Sequence, residues 1–316
     1  MKIVMLESLA VRGDLLANYT KPLEKAGHTF EAYERDDDPD TQIERCKDAD
    51  ILIIANMPLK GSVIESCPNL KFINVAFTGV DHVDLAAAKK MGIAVSNASG
   101  YSNDSVAELT ICMMLSLLRN VPQVDARCRE GKTKDGLVGN ELKGKTVGII
   151  GTGAIGSRVG ELCRAFGCRT IAYNGFSNKE STKDVAYLPL NEMMAQSDIV
   201  TLHCPVTEKS KGLINKESLA HIKEGAILIN AARGPVVDSQ ALADALNSGK
   251  VAGAGIDVFE TEPPLDPAHP LLHTPNTIVT PHVAFATEES MEKRAEIVFA
   301  NLDAWMQGRQ INKVIG

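Results

Sequence analysis

Residues 145–156, KTVGIIGTGAIG, constrain this chain more than any other stretch. An apolar run, VGII, leads straight into Gly151, Gly153 and Gly156, and a helix-forming segment opens behind them. The first glycine of such a loop permits a tight turn. The second lets a bulky anion approach the backbone, and the third lets helix and strand pack closely. Free N–H groups at the start of the helix then face the anion. A strand before and a helix after turn a glycine spacing into a dinucleotide-binding loop. The remainder of the chain must then supply further strands alternating with helices.

It does so twice. From the loop onward, strands are expected at 145–150, 170–173, 199–202, 226–230, 251–257 and 277–279, with helices at 155–166, 191–195, 216–220 and 238–248. Runs such as VGII and AILIN are apolar almost throughout, as a sheet covered on both faces requires. The first third repeats the alternation, with strands at 2–6, 28–33, 51–55, 72–75 and 93–96 and helices at 14–26 and 84–91. A long helix over 102–119 carries Val106, Leu109, Met113 and Leu117, and a last helix runs over about 287–307. The stretch EAYERDDDPD (31–40) reads as an acidic surface turn. A chain of 316 residues exceeds one ordinary core, so two domains are expected.

Ligands of open parallel sheets sit beyond the C-terminal strand ends, and the chemistry-bearing residues fall there. Arg233 follows the strand ending in LIN, where a guanidinium can grip a carboxylate bidentately. Asp257 ends the next strand, with Glu262 just after it, and His282 follows the strand after that. Reduction of a ketone needs a proton as well as a hydride. Histidine can supply the proton near neutral pH, and a neighbouring carboxylate orients the imidazolium and raises its pKa. Read singly, Arg233 fits a surface ion pair, Glu262 a solvated loop and His282 a packed core. Their joint arrival at strand ends downstream of the glycine loop favours a working set.

An acidic residue about 20 positions after the glycines normally holds the adenosine ribose. Here the second strand is followed by Asn174, and the loop beyond offers Ser177 and Lys179 but no arginine clamp for a 2′-phosphate. NAD is the expected cofactor, with NADP left open. A net charge of −7 disfavours nucleic acid or an anionic membrane as partner. No apolar run approaches the roughly 20 residues of a membrane span, and MKIVMLESLA reads as a first strand rather than a signal peptide. The seven cysteines are odd in number and lack a CxxC, so reduced thiols, no zinc site and a cytoplasmic location are expected. His203 reads as a packed residue, His82 as part of a helix start, and Tyr101 as either a hinge-packing residue or a substrate contact.

Taken in order, FTGVDHVDL (77–85), the VAEL run at Val106, LKGKTVGIIGTGAIG (142–156), LHCPVTEKSKGLINKESL (202–219), INAARGPVVD (229–238), AGIDVFETEP (254–263) and the TPH ending at His282 resemble the D-isomer-specific 2-hydroxyacid dehydrogenase family over essentially the whole chain. The resemblance implies two Rossmann-like or flavodoxin-like doubly wound parallel-sheet domains with the active-site cleft between them. A discontinuous substrate domain would comprise 1–99 plus 285–316, and an NAD-binding domain 100–284. The implied reaction passes a hydride between NAD(H) and C2 of a small 2-keto or 2-hydroxy acid. Arg233 would bind the substrate carboxylate, and His282 would be the proton donor and acceptor, paired with Glu262. Thr78 and Gly79 would offer backbone groups to the substrate. Gly151, Gly153, Ala154, Ile155 and Gly156 would hold the pyrophosphate. Asn174, Cys204 and Pro205 would lie on the adenosine side, Ala231 would join the cofactor contacts, and Asp257 would meet the nicotinamide carboxamide. A homodimer through the nucleotide domain, packed along the helix over 102–119, is also implied.

Glyoxylate, hydroxypyruvate, pyruvate and branched 2-keto acids all remain open as substrates. Formate-oxidising relatives carry glutamine where this chain has Glu262, because formate gives up hydride with no proton to move, so Glu262 argues for acid–base chemistry. Phosphite oxidation stays open. The alternative of another class is a nucleotide-sensing, corepressor-like binding protein on the same fold.

Overall fold

Successive side chains of a strand point to opposite faces, so a strand apolar at every position needs cover on both sides. The computed structural model, which describes residues 1–173, 175 and 180–316, shows that cover in two compact units. One comprises Met1–Ser102 with Ala286–Gly316, and the other Asn103–Phe285.

The first unit begins with β1 (Lys2–Met5), α1 (Gly13–Lys25), β2 (Thr29–Ala32), α2 (Pro39–Cys46), β3 (Ile51–Ile54), α3 (Gly61–Glu65), β4 (Phe72–Val75), α4 (Leu85–Lys90) and β5 (Ala94–Asn97). The acidic stretch expected to be a turn starts a helix instead. Asp38 caps α2 by accepting from Thr41 N–H at 3.0 Å, and Pro39 occupies the first turn, where its missing N–H costs nothing. His82 precedes α4, but the cap is Asp84, which accepts from Ala87 N–H at 2.9 Å.

The second unit runs α5 (Asn103–Leu118), α6 (Val121–Arg129), β6 (Thr146–Ile150), α7 (Ala154–Ala165), β7 (Arg169–Tyr173), β8 (Ala186–Tyr187), α8 (Leu190–Gln196), β9 (Ile199–Leu202), α9 (Lys216–Ala220), β10 (Ala226–Asn230), α10 (Ser239–Asn247), β11 (Val251–Ile256) and β12 (Thr277–Val279). Among the described residues its strands lie in the order β12-β11-β10-β9-β6-β7-β8, all parallel. The order reverses between β9 and β7, so β6 delivers the glycine loop to the switch point where dinucleotides bind. Two apolar clusters cover the sheet, and the strands feed them alternately. Ile150, Val200, Leu202 and Leu228 enter one, while Val147, Ile149, Ile199 and Ile229 enter the other. Each such fully buried aliphatic side chain contributes about 1.5–3 kcal/mol. Gly148 lets α8 sit down on β6, because a Cβ there would lie 2.1 Å from Ser197 Oγ.

The chain then returns to the first unit with α11 (Glu288–Met306) and β13 (Lys313–Ile315). The order there is β13-β5-β4-β3-β1-β2, and β13 runs antiparallel to β5. The expected parallel sheet is present, with an antiparallel strand added at this edge, where a short final segment needs no crossover helix to pair. Trp305 of α11 stacks on Phe72 with ring centroids 5.0 Å apart. A buried amide network anchors the return: Asn74 Nδ2 donates to Val298 O at 2.7 Å, and Asn301 Nδ2 donates to Asn74 Oδ1 at 3.1 Å. Among the described residues no helix is long and apolar enough to cross a membrane.

Candidate active site

The glycine loop meets the steric demands its sequence implied. Gly151 has φ +95°, and a Cβ there would lie 2.7 Å from His203 O. A Cβ on Gly156 would lie 2.0 Å from Gly151 O, so only glycine lets α7 start this close to β6. Gly153 differs. A Cβ there meets nothing within 4 Å, and no side chain caps the helix it begins. The exposed surface at Gly153 and Ala154 therefore presents unsatisfied N–H groups of the first turn, with Ile155 half-buried behind them. That open cradle at the positive end of a helix fits a pyrophosphate.

The residues expected on the adenosine side are mixed in character. Cys204 is buried, and burial pushes its thiol up to about 11, which leaves it a poor nucleophile at neutral pH. Pro205 is exposed. Burial drives the His203 imidazole down to about 3, and its Nε2 lies 2.8 Å from Thr201 Oγ1, a packed residue as expected. Asn174, Ser177 and Lys179 lie outside the described residues.

Arg233, Asp257 and His282 follow three adjacent parallel strands, β10, β11 and β12, which bring their segments to one end of the sheet. Asn230, the last residue of β10, acts as a template for the Arg233 segment. Its Oδ1 accepts from Ala232 N–H at 3.1 Å and its Nδ2 donates to Arg233 O at 3.0 Å. The half-buried Arg233 donates from Nη1 to Ala232 O at 2.8 Å. Gly234 must be glycine, since a Cβ would lie 1.9 Å from the Phe259 carbonyl.

Asp257 is fully buried, and its carboxylate organises the His282 turn. Oδ1 accepts from Thr280 Oγ1 at 2.6 Å and Val283 N–H at 2.8 Å, and Oδ2 from Ala284 N–H at 3.0 Å. Between those partners His282 adopts φ +55°, a left-handed backbone that costs an L-residue about 1–2 kcal/mol. The clamp offsets that strain. His282 Nδ1 lies 2.8 Å from Glu262 Oε2 and 2.9 Å from Oε1. The imidazole is 11% exposed and the carboxylate 44%. Phe285 meets the ring edge-on, with centroids 5.3 Å apart. A small apolar cluster of Val106, Ala231 and Ala284, flanked by Ile155 and Phe285, joins the glycine loop to the segments around Arg233 and His282.

Thr78 and Gly79 belong to the first unit, in the loop after β4, where Thr78 O accepts from Asn97 Nδ2 at 2.8 Å. Tyr101, also there, is buried against Phe77 and lies under the Arg294 guanidinium. Sequence reading missed Asn230 and Thr280. Each is a small polar residue at a strand end, the one available signal.

These features define a nicotinamide-dependent dehydrogenase. Residues 111–284 match the family model described as D-isomer specific 2-hydroxyacid dehydrogenase, NAD binding domain. The chain belongs to the D-isomer specific 2-hydroxyacid dehydrogenase family and is an NAD-dependent oxidoreductase acting on a CH–OH group. It is 38% identical over 327 aligned residues to a hydroxypyruvate reductase of Blautia hydrogenotrophica, covering 99% of each chain. A glyoxylate reductase of Korarchaeum cryptofilum is 38% identical over 274 residues, covering 84% of this chain and 82% of that one. The solved structure of D-2-hydroxyisocaproate dehydrogenase superposes with a TM-score of 0.85 at 32% identity, covering both chains fully.

Proposed function

We propose that this enzyme reduces a short 2-keto acid of the glyoxylate or hydroxypyruvate type, using His282 as the acid, Glu262 as its partner and Arg233 as the carboxylate anchor. The observation that carries this reading is the His282–Glu262 pair, 2.8 Å apart, on the strand-end loops beside the Arg233 segment. Bound NADH supplies the hydride. Gly151, Gly153, Ala154, Ile155 and Gly156 would hold its pyrophosphate, Asn174, Cys204 and Pro205 its adenosine, and Ala231 and Asp257 its nicotinamide end.

Glu262 takes the Nδ1 proton of His282 in a hydrogen bond and fixes the ring's orientation, so proton exchange with the substrate oxygen falls to Nε2. In reduction the protonated ring gives its Nε2 proton to the substrate oxygen. Arg233 pairs with the substrate carboxylate and draws charge from the adjacent carbonyl. In the oxidative direction the neutral imidazole takes the hydroxyl proton back. We read NAD rather than NADP as the preferred cofactor, because Asn174 is followed by no arginine to clamp a 2′-phosphate.

A homodimer through the second unit goes with this reading. It is supported by α6, none of whose side chains is buried within the chain, and by Val121 and Val138, 46% and 78% exposed. The odd cysteine count without a CxxC supports a cytoplasmic location.

The test is oxidation of NADH and of NADPH against a panel of 2-keto acids, with His282→Ala and Arg233→Ala alongside. Turnover that falls about 10²–10⁴-fold in His282→Ala, with NADH binding kept, is the expected result. Wild-type turnover in either variant would remove that residue from the mechanism. No turnover with any substrate, in protein that binds NADH, would favour the corepressor-like alternative.

A further inference from the structure

Besides the pair at His282, the second unit holds another carboxylate–imidazole pair. Glu260 and His269 stand at the two ends of the loop that carries Glu262, and Glu260 Oε2 lies 3.1 Å from His269 Nε2. His269 Nδ1 accepts from Leu271 N–H at 3.3 Å, so Nε2 carries the proton and donates it to Glu260. The ring stands edge-on to Phe259, with centroids 5.1 Å apart. The other Glu260 oxygen accepts from Ser239 Oγ, on the first residue of α10. Burial pushes the Glu260 carboxyl up, but the hydrogen bonds from Ser239 and His269 outweigh it and hold the group below its ordinary value. The loop's far limb has its own ties: Asp266 Oδ1 accepts from Ala268 N–H at 2.8 Å, and His273 Nε2 lies 2.6 Å from Pro267 O. A segment of roughly 6–16 residues with its ends held together is an Ω loop.

We infer that Glu260 and His269 form the neck of this loop and are positioning residues that hold Glu262 against His282. The inference rests on the acid–base reading of His282 and Glu262 given above. Asp257 fixes the His282 turn from within the fold, whereas Glu262 is the exposed member of the pair and reaches His282 from a surface loop. A carboxylate on an unpinned loop exchanges its partner for water, so the pair lasts only as long as the loop is held. The same neck meets the Arg233 segment, through the contact of Gly234 with Phe259 and through Ser239. The Arg233 and Glu262 segments are thus set by one fixture.

The test compares His269→Ala, His269→Gln and His269→Asn in the full chain with NADH present. Glutamine carries an N–H donor near the place of Nε2, and asparagine near that of Nδ1. The readouts are kcat, the pH profile of kcat/KM for 2-keto acid reduction, NADH affinity by fluorescence, and hydrogen exchange of residues 260–269. His269→Ala is expected to lower kcat about tenfold. It should also change the pH profile of kcat/KM, because Glu262 is no longer held against His282. Exchange of 260–269 should quicken, and NADH affinity should stay the same. His269→Gln should restore both the pH profile and the exchange, and His269→Asn should not. An alanine variant with the wild-type pH profile and exchange overturns the inference, whatever its melting temperature, as does a glutamine variant that behaves like alanine. If the wild-type enzyme reduces no 2-keto acid, the acid–base reading fails. Exchange then decides the neck alone: faster exchange in His269→Ala upholds it and unchanged exchange overturns it.

Discussion

Replacing Asp257 by asparagine removes a charge and one acceptor from a group that accepts three hydrogen bonds while fully buried. With the amide oxygen in the place of Oδ1, Thr280 and Val283 keep their partner. The amide nitrogen then faces Ala284 N–H, donor against donor. The lost charge-assisted bond is worth about 1.5–3 kcal/mol, and the unsatisfied N–H costs about 1–3 kcal/mol more. Together these give about 2.5–6 kcal/mol, more than the ~1–2 kcal/mol of left-handed strain that the clamp holds in place at His282. The turn should therefore relax, and a displacement of about 1 Å at an acid group costs about 10²-fold in rate. Steady-state reduction of a 2-keto acid should show a kcat lower by about two orders of magnitude. Thermal unfolding followed by fluorescence should show a midpoint lower by at least about 5 °C, at 2–4 °C per kcal/mol. A variant with wild-type turnover and an unchanged melting temperature would refute the clamp.

Glu262→Gln should keep a hydrogen-bond acceptor for His282 but lose the carboxylate's charge and its second acceptor oxygen. Steady-state reduction should fall by about tenfold or more, and a wild-type kcat would count against the pairing. Gly153→Ala and Gly156→Ala should separate ligand space from packing. The first meets nothing in the chain, so melting without cofactor should hold while NADH affinity falls; the second collides with Gly151 O and should lower both. Asp198 tests pH and stability together. Burial pushes its carboxyl up, but Lys223 at 2.6 Å and Thr146 N–H at 2.8 Å outweigh it and leave the pKa lowered. A lowered group contributes its stability above the unfolded value of about 3.9 and loses it as pH falls through the folded value. Asp198→Asn should therefore flatten the acid side of a stability–pH curve measured by urea unfolding, and a curve parallel to wild type would contradict this.

The order of elements was legible because both units rest on strands that are apolar almost throughout, and the second on a glycine spacing with one steric solution. His282 was legible as a candidate because it follows a strand end, and Glu262 because it lies on the loop after another. Helix α6 was not read, since none of its side chains is buried and no apolar stripe marks it. The Asp257 clamp was hidden for another reason. Its partners at Val283 and Ala284 are backbone N–H groups, which every residue but proline carries, so no side chain announces them. The Glu260–His269 neck depends on a closure across residues 260–269 that no periodicity records.

The amide network beneath α11 also dictates a schedule. Asn74 donates to the carbonyl of Val298, 224 residues later in the chain. During synthesis the strands β1–β5 emerge first, then the continuous second unit, and only afterwards the helix and strand that finish the first sheet. Until then Asn74 lacks its partners on α11, Phe72 lacks the Trp305 ring, and β5 is an open edge. The later-made unit can close by itself, while the first-made sheet waits on contacts of high sequence separation, which form slowly. The strands translated earliest are thus the last to be secured, and for that interval ILII and FINV depend on the ribosome, a chaperone or luck to stay out of aggregates.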